Sequence, residues 1–229
     1  MKILIKKIQS SDTSCLLTKS KPYFIDDVRW QKMKSIKMEK DKLRSLASGY
    51  LLYKMCEDLE IKNPRYENSQ KGKPYIAGYQ NVAFNLSHSG DYAVLAYSKI
   101  SVEAEGVSQS AACVLPHVVG IDIQQIRPLH KGMKKRILHE KERIPEGLST
   151  EEEIVYLNRI WAIKESYVKM TGDGLSVDFR KIQIDFEKRS VESENRQQGY
   201  FVEWMGLPDY TMSICTMKAE QGGIEFVIQ

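Results

Sequence analysis

Val118-Val-Gly-Ile-Asp-Ile-Gln124 is a compact run rich in β-branched residues, and this composition predicts a buried strand. The chain that follows has helical periodicity over Lys131–Glu142 and Glu151–Met170, and the second helix is expected to stop at the glycines after Thr171. Three further strand-like runs complete this half of the chain: Ile182–Phe186, Tyr200–Trp204 and Tyr210–Thr216. This half therefore presents helices first and most of its strands after them.

The first half of the chain has the same order of elements. Lys2–Ile8 is predicted to be a strand, and Asp27–Leu59 a long helical region with a candidate break near Met38. Strands are predicted again over Val82–Ser87 and Asp91–Tyr97. Helices followed by strands in both halves indicate the α+β class.

The boundary between the halves is placed in a segment without periodicity. Ser101–Ala112 shows neither helical nor strand spacing and is predicted to be a loop or an insertion. We therefore expect an N-terminal half over residues 1–112 and a C-terminal half over residues 113–229.

Composition excludes several classes of protein. The 229 residues are 42% hydrophobic and 28% charged, which is typical of a globular protein with a buried core. The apolar part of Met1–Lys7 is too short for a signal peptide, and no run approaches the roughly 18 apolar residues of a membrane span, so a cytoplasmic protein is expected. Four cysteines without a CxxC pair favour reduced thiols over a disulfide framework or a zinc site.

One face of the second predicted helix carries candidate chemistry. Trp161, Glu165 and Lys169 are spaced four residues apart and share a face, with Lys164 at its border. The spacing alone also fits an exposed Glu–Lys pair that stabilises the helix by a few tenths of a kcal/mol. Both readings stay open at this point.

The strand before this helix contains an acidic residue among apolar ones. Strand periodicity places Asp122 and Gln124 on the same side. A buried carboxylate requires a cation or a hydrogen-bond network, although a capping or loop-anchoring role explains Asp122 equally well. If Asp122 faces Glu165, the two carboxylates form an oxygen-ligand set suited to Mg²⁺.

Phe84-Asn-Leu-Ser-His-Ser-Gly90 brings a hydroxyl and an imidazole to a strand end. Ser87 and His88 point to opposite faces of a strand and no G-x-S-x-G elbow is present, so a serine hydrolase is disfavoured. A phosphate contact and a simple turn both remain possible roles, and Gly72-Lys-Pro74 has the same two readings. The chain has neither a P-loop nor a G-x-G-x-x-G motif.

Four motifs together resemble those of the 4′-phosphopantetheinyl transferases of the surfactin-synthetase-activating type, in the same order and with the same spacing. They are Gly72–Pro74, Phe84–Gly90, the strand around Asp122 and the helix segment Trp161–Lys169. The resemblance implies a pseudo-dimer of two similar α+β halves, with coenzyme A and Mg²⁺ bound in the cleft between them. It also implies a reaction: transfer of the 4′-phosphopantetheine arm of coenzyme A to a serine of an apo acyl or peptidyl carrier protein, with release of 3′,5′-adenosine bisphosphate.

The resemblance also assigns roles to residues. It implies that Asp122 and Glu165 bind Mg²⁺, and that the proton acceptor is Glu142 or a metal-bound water activated by Glu165. Family members commonly carry a second acid at the position of Gln124, so this third ligand is in doubt and an altered metal preference is expected. The residues implied to contact coenzyme A are Arg29, Lys32, Ser45, Lys73, Pro74, Ser87, His88, Lys164 and Lys169.

Two other functions are compatible with parts of the sequence. Gln124 leaves room for a catalytically weak coenzyme A-binding homologue. A module that binds nucleic acid or acidic proteins is disfavoured, since the net charge is only +4 and the basic stretch Arg29–Lys42 contains a single aromatic residue, Trp30. A fused pseudo-dimer needs no partner chain, so a monomer is expected. The carrier protein, its pathway and the use of acyl-coenzyme A are left open.

Overall fold

The computed structural model describes residues 1–9, 11, 13–23, 27–99, 119–174, 177–194, 196–219 and 223–229. In chain order its numbered elements are β1 (Lys2–Lys7), α1 (Thr13–Ser20), α2 (Asp27–Ser35), α3 (Glu39–Asp58), β2 (Tyr66–Asn68), β3 (Pro74–Ile76), β4 (Val82–Ser89), β5 (Tyr92–Lys99), β6 (Val119–Gln125), α4 (Lys134–Ile137), α5 (Thr150–Thr171), β7 (Ile182–Asp185), β8 (Ser190–Ser193), β9 (Gly199–Trp204), β10 (Tyr210–Thr216) and β11 (Glu225–Ile228). Single 3₁₀ turns lie at Lys21–Tyr23 and Phe179–Lys181. Within the part of the chain that is described, no helix combines the length and the apolar character needed to cross a membrane.

The chain divides into two compact units, one of Met1–Pro116 with Gly222–Gln229 and the other of His117–Gln221. The predicted boundary between residues 112 and 113 lies outside the described residues and stays a prediction. The end of the chain differs from the predicted halves, because β11 pairs in parallel with β1 and so belongs to the first unit.

The first unit contains a four-stranded sheet in the order β11-β1-β5-β4, antiparallel except for the β11–β1 pair. The helix α3 packs on one face of this sheet, where Leu51 and Met55 join Leu4, Phe84 and Leu95 in a buried apolar cluster. The predicted break in the long helical region is confirmed, because the extended backbone of residue 38 separates α2 from α3.

The second unit contains a five-stranded antiparallel sheet in the order β6-β10-β9-β8-β7. The helix α5 covers it and buries Ile163 and Tyr167. A capping box between Ser149 and Glu152 begins α5, and Gly172 ends it in the left-handed conformation with φ of +73°. The predicted end of this helix is therefore confirmed.

The predicted helix over Lys131–Glu142 is wrong in its length, since only Lys134–Ile137 is helical. The backbone turns to an extended conformation at Leu138. Two side chains take up the backbone groups that a longer helix would have used: Lys164 donates to the Ile137 carbonyl, and Glu142 accepts from the His139 amide.

The two units share one connectivity. In each, a strand leads to a long helix that is followed by four strands, and the last of these four pairs with the first strand of the unit. The sheet neighbours are β1-β5-β4 in the first unit and β6-β10-β9 in the second. The α+β class and the two similar halves are thereby confirmed.

Candidate functional site

The strand β6 and the helix α5 approach each other closely because Gly120 has no side chain. A Cβ atom at Gly120 would lie 1.9 Å from the carbonyl oxygen of Ser166 and 2.5 Å from the backbone nitrogen of Met170. Beside this point the hydroxyls of Ser166 and Ser213 are 3.0 Å apart and joined by a hydrogen bond. The face of the sheet that carries Asp122 therefore lies directly under α5.

The carboxylate of Asp122 is buried between two donors. The ammonium of Lys169 lies 2.6 Å from Oδ1 and also donates to the carbonyl of Ile121 at 3.1 Å. The side-chain amide of Gln124 lies 2.7 Å from Oδ2. Asp122 and Gln124 thus share a side of the strand, as strand periodicity predicts. In this arrangement Gln124 orients Asp122 by donating a hydrogen bond to it.

Glu165 is the second buried carboxylate of this cluster. Burial and the negative charge of Asp122, opposed by the positive charge of Lys169, together raise the pKa of Glu165 to about 7. Two carboxylates with a single ammonium between them carry a net negative charge. Such a cluster is receptive to an additional cation.

The donor set of this cluster fits Mg²⁺ bound together with a phosphate. The described residues contain no group of three or more His, Cys, Asp or Glu side chains that could hold a metal ion by themselves. Mg²⁺, however, commonly uses one or two carboxylates and fills the rest of its coordination shell with phosphate oxygens and water. Asp122 and Glu165 supply two carboxylates, which is sufficient for such a site.

A groove of about 450 Å³ lies beside Glu165 in the second unit. Its walls come from α4 and from the segment around the 3₁₀ turn that precedes β7, and Trp161 packs against Phe179 with ring centroids 5.2 Å apart. The lining residues are Met133, Arg136, Ile137, Trp161, Glu165, Val177, Asp178, Phe179 and Arg180. The groove therefore combines apolar walls, arginines at its margin and a carboxylate next to the cluster around Asp122.

Lys164 and Glu142 form a buried ion pair with a nitrogen–oxygen distance of 2.7 Å. Lys164 is fully buried and also donates to the carbonyls of Ile137 and Phe179. Burial lowers the pKa of Lys164, although Glu142 acts in the opposite direction. This placement gives no support to the predicted contact between Lys164 and coenzyme A.

The carboxylate of Glu142 accepts hydrogen bonds on both oxygens. Lys164 and the His139 amide donate to Oε2, and the Ile184 amide donates to Oε1 at 3.0 Å. Both oxygens of Glu142 are therefore already engaged, by one ammonium and two backbone amides of the second unit. The predicted role of Glu142 as general base is therefore not favoured by its surroundings.

The remaining predicted residues lie in the first unit. Ser87 is buried and His88 is exposed near the end of β4, while Lys73 is buried beside Pro74, the first residue of β3. Lys32 is exposed on α2, and Ser45 is partly buried on α3. Arg29 also lies on α2, but its side chain is outside the described residues.

Arg44 is a residue that sequence reasoning missed. Its Nε donates to the carbonyl of Gly90 at 2.8 Å, which ties the N-terminal part of α3 to the turn after His88. Ser45, the next residue along α3, is thereby placed near this turn. In the sequence Arg44 is a basic residue next to Ser45, and this pattern is too common to indicate a function.

Two family models match the chain. The 4′-phosphopantetheinyl transferase superfamily matches residues 118–215, and the family described as 4′-phosphopantetheinyl transferase, N-terminal, matches residues 21–100. The first match contains the cluster of Asp122, Glu165 and Lys169. The second contains Ser87 and His88.

Curated proteins from bacteria and mammals are similar over most of the chain. The 4′-phosphopantetheinyl transferase ffp of Bacillus subtilis is 24% identical over 206 residues, which cover 86% of this chain and 84% of the relative. The 4′-phosphopantetheinyl transferase Sfp of Bacillus subtilis strain 168 is 22% identical over 200 residues, covering 84% and 82%. The L-aminoadipate-semialdehyde dehydrogenase-phosphopantetheinyl transferase of Mus musculus is 30% identical over 170 residues, covering 67% of this chain and 50% of the relative.

Proposed function

Because the chain belongs to the 4′-phosphopantetheinyl transferase superfamily, we propose that it transfers the 4′-phosphopantetheine arm of coenzyme A to a serine of an apo acyl or peptidyl carrier protein. The membership confirms the family resemblance of the sequence motifs. The observation that carries the proposal is the cluster of the buried carboxylates Asp122 and Glu165 with the partly exposed Lys169, beside an open groove.

The cluster is proposed to hold the pyrophosphate of coenzyme A. Asp122 and Glu165 would bind Mg²⁺, which neutralises phosphate charge when it is present. The ammonium of Lys169 lies 2.6 Å from Oδ1 of Asp122 and would keep this carboxylate oriented. The same ammonium would lie next to a phosphate oxygen of the bound pyrophosphate. The side-chain amide of Gln124 would hold Oδ2 of Asp122 in place. Because Gln124 donates to Asp122 and brings no third carboxylate to the metal, we expect an altered metal preference.

The nucleotide end of coenzyme A is proposed to bind through residues of the first unit. Charged and hydroxyl groups of this kind are suited to phosphates and to the adenosine. The proposed contacts are Arg29, Lys32, Ser45, Lys73, Pro74, Ser87 and His88. The hydrogen bond from Arg44 to the Gly90 carbonyl would keep the turn after His88 in position for this role.

The reaction would be an attack of the carrier serine oxygen on the β-phosphorus of coenzyme A. One P–O bond forms, the P–O bond to 3′,5′-adenosine bisphosphate breaks, and that product leaves with the bonding electrons. The serine proton needs an acceptor. Because Glu142 is already held by three donors, we favour a water molecule activated by Glu165.

The carrier protein is proposed to dock at the groove beside Glu165, between the region Lys131–Glu153 and the facing 3₁₀ turn. Arg136 and Arg180 line this groove, and Arg180 is paired there with Asp178. Arg136 would attract an acidic segment of the carrier. The apolar walls around Trp161 would contact the residues next to the acceptor serine.

Intact mass spectrometry tests the proposal directly. The protein is incubated with coenzyme A, Mg²⁺ and a panel of apo carrier proteins, and the added arm appears as a mass shift of one carrier. Glu165→Gln should lower the rate by at least about a hundredfold, as expected for the loss of a group that stabilises charge in the transition state. Glu192→Gln, a matched change at an exposed carboxylate on β8, should leave the rate unchanged.

Two outcomes would count against this function. If no carrier gains mass although coenzyme A binds, the chain acts as a coenzyme A-binding homologue. If Glu165→Gln keeps most of the rate, the assignment of Glu165 is wrong. The predicted monomeric state belongs to the same proposal and is checked by sedimentation of the protein, and the predicted cytoplasmic location stays a prediction.

A further inference from the structure

The buried pair of Lys164 and Glu142 has no part in the chemistry proposed above. Lys164 is fully buried and Glu142 nearly so, and the groups that they contact belong to the second unit. Burying a charged pair is expensive unless the remaining hydrogen-bonding groups are satisfied, and replacing such a pair by apolar residues is often neutral or stabilising. The pair is therefore poorly explained by stability alone.

The partners of this pair lie in the two walls of the groove beside Glu165. The Lys164 ammonium is 2.7 Å from the Ile137 carbonyl, at the end of α4, and 3.1 Å from the Phe179 carbonyl, in the 3₁₀ turn before β7. Ile137 and Phe179 both line the groove, one in each wall. One ammonium thus fixes the backbone of both walls at the same point.

Glu142 extends the connection to the sheet. It neutralises Lys164 through Oε2, and through Oε1 it accepts from the Ile184 amide on β7. The same carboxylate accepts from the His139 amide just after α4. Because Lys164 precedes Glu165 on α5, the walls are fixed relative to the residue that is proposed to act on the acceptor serine.

We propose that Lys164 and Glu142 are positioning residues that hold the two walls of the groove at a fixed distance from Glu165, so that the carrier serine is presented in line with the pyrophosphate of coenzyme A. The inference rests on the proposed function and deepens it at the carrier side of the site. It gives Glu142 a role through Lys164, in place of a role as general base.

The test is a double-mutant cycle of Lys164→Met, Glu142→Gln and the double variant. Each single change leaves a buried charge without its partner and lowers stability. The double variant removes both charges and should recover stability, but the methionine cannot donate to the Ile137 and Phe179 carbonyls. The matched control is Arg159→Met with Glu203→Gln, an ion pair from the same helix to β9 whose residues do not line the groove.

Steady-state transfer with coenzyme A and an apo carrier gives the first readout. In the double variant, kcat/KM for the carrier should fall about a hundredfold, the loss expected when a reacting group is misplaced by about 1 Å. KM for coenzyme A should not change. The Arg159 and Glu203 double variant should keep both constants.

Trp161 gives a readout that does not depend on transfer. In a background of Trp30→Phe and Trp204→Phe, acrylamide quenching of Trp161 should increase in the double variant, because Phe179 is no longer held against the indole. A wild-type protein that fails to modify any carrier would sink the proposed function, while the quenching would still decide whether the pair holds the walls.

Two results would overturn the positioning role. If the double variant regains its stability and also shows the quenching of Trp161 and the kcat/KM for the carrier of the wild type, the pair is only structural. If Glu142→Gln lowers kcat at an unchanged KM for the carrier and at wild-type quenching of Trp161, while Lys164→Met keeps most of kcat, Glu142 acts as the base. A slow double variant with increased quenching of Trp161, beside a Glu142→Gln variant that keeps more of the rate because Lys164 still donates to both wall carbonyls, supports the proposal.

Discussion

Substituting Gly120 by alanine should disrupt the candidate site through the backbone alone. The added Cβ would lie 1.9 Å from the Ser166 carbonyl oxygen and 2.5 Å from the Met170 nitrogen, both in α5. Carbon and other heavy atoms pack best at about 3.5 to 4 Å, so α5 and β6 must separate by roughly 1.5 Å. A shift of this size would break the hydrogen bond between Ser166 and Ser213 and lengthen the contact between Lys169 and Asp122.

The expected cost is at the upper end of the range for an overpacked core, about 3 kcal/mol, because backbone atoms of a long helix cannot rotate away as a side chain can. Gly199→Ala provides an intermediate case, since its Cβ would meet side chains: Cys215 Sγ at 2.6 Å, the Tyr167 ring at 3.0 Å and Met170 Cε at 3.1 Å. Gly223→Ala is the control, because nothing lies within 4 Å of its Cβ.

Urea unfolding at equilibrium measures the three variants, with the transfer rate measured on the folded fraction. The loss of stability should follow the order Gly120, Gly199, Gly223, and the last should stay within about 0.5 kcal/mol of the wild type. Transfer by Gly120→Ala should fall about a hundredfold from misplacement of the cluster. A Gly120→Ala variant as stable as the Gly223→Ala variant would refute the close packing of α5 on β6.

Three further changes test the electrostatics of the cluster. Gln124→Glu should destabilise the metal-free protein, because it places a second carboxylate against Asp122. It should also lower the Mg²⁺ concentration needed for half-maximal transfer. Mg²⁺ and Mn²⁺ titrations that match the wild type would contradict this change in metal dependence. Lys169→Met should cost about 2 kcal/mol in urea unfolding, less than a fully buried pair because Lys169 is partly exposed, and an unchanged midpoint would rule out the ion pair. The pKa of Glu165 is raised from 4.5 to about 7 in the folded state, so its contribution to stability is present below pH 4.5 and is lost as the pH rises through 7. In a chelating buffer, the free energy of unfolding of the wild type should fall by about 3 kcal/mol relative to Glu165→Gln over this interval. Parallel stability curves for the two proteins would exclude the pKa shift.

Local periodicity was sufficient to predict much of the site. The spacing of four residues placed Glu165 and Lys169 on one face of α5, and the spacing of two placed Asp122 and Gln124 on one side of β6. The register between β6 and α5 did not follow from either pattern. It depends on Gly120, whose missing side chain permits the close approach, and sequence reasoning gave that glycine no role.

Features that depend on distant partners could not be predicted. The strand Glu225–Ile228 pairs with β1 at the other end of the chain, so no local pattern announces it. Lys164 borders the polar face of α5 and is an ordinary helix lysine by spacing, yet it is fully buried because its acceptors come from segments before and after the helix. Burial of a charged residue is decided by such tertiary contacts, which a helical spacing does not encode.

The shared connectivity of the two units separates what the fold requires from what the chemistry requires. In the first unit, the middle of the contact between the long helix and the first strand of the sheet is apolar, with Leu4 and Leu95 opposite each other under α3. Charged groups lie at its end, where Lys2 of β1 pairs with Asp58 of α3. In the second unit, Asp122 and Ser213 form the pair that lies opposite each other under α5. The fold can therefore be built with leucines at this contact.

Polar and charged groups at the same contact must be matched by partners, and the second unit supplies them. Ser166 bonds Ser213, and Lys169 with Gln124 holds Asp122. Because the apolar version exists within the same chain, folding alone does not explain why the second unit keeps a buried carboxylate beside Glu165. The charged groups at this contact in the second unit support the proposal that the pyrophosphate of coenzyme A binds there.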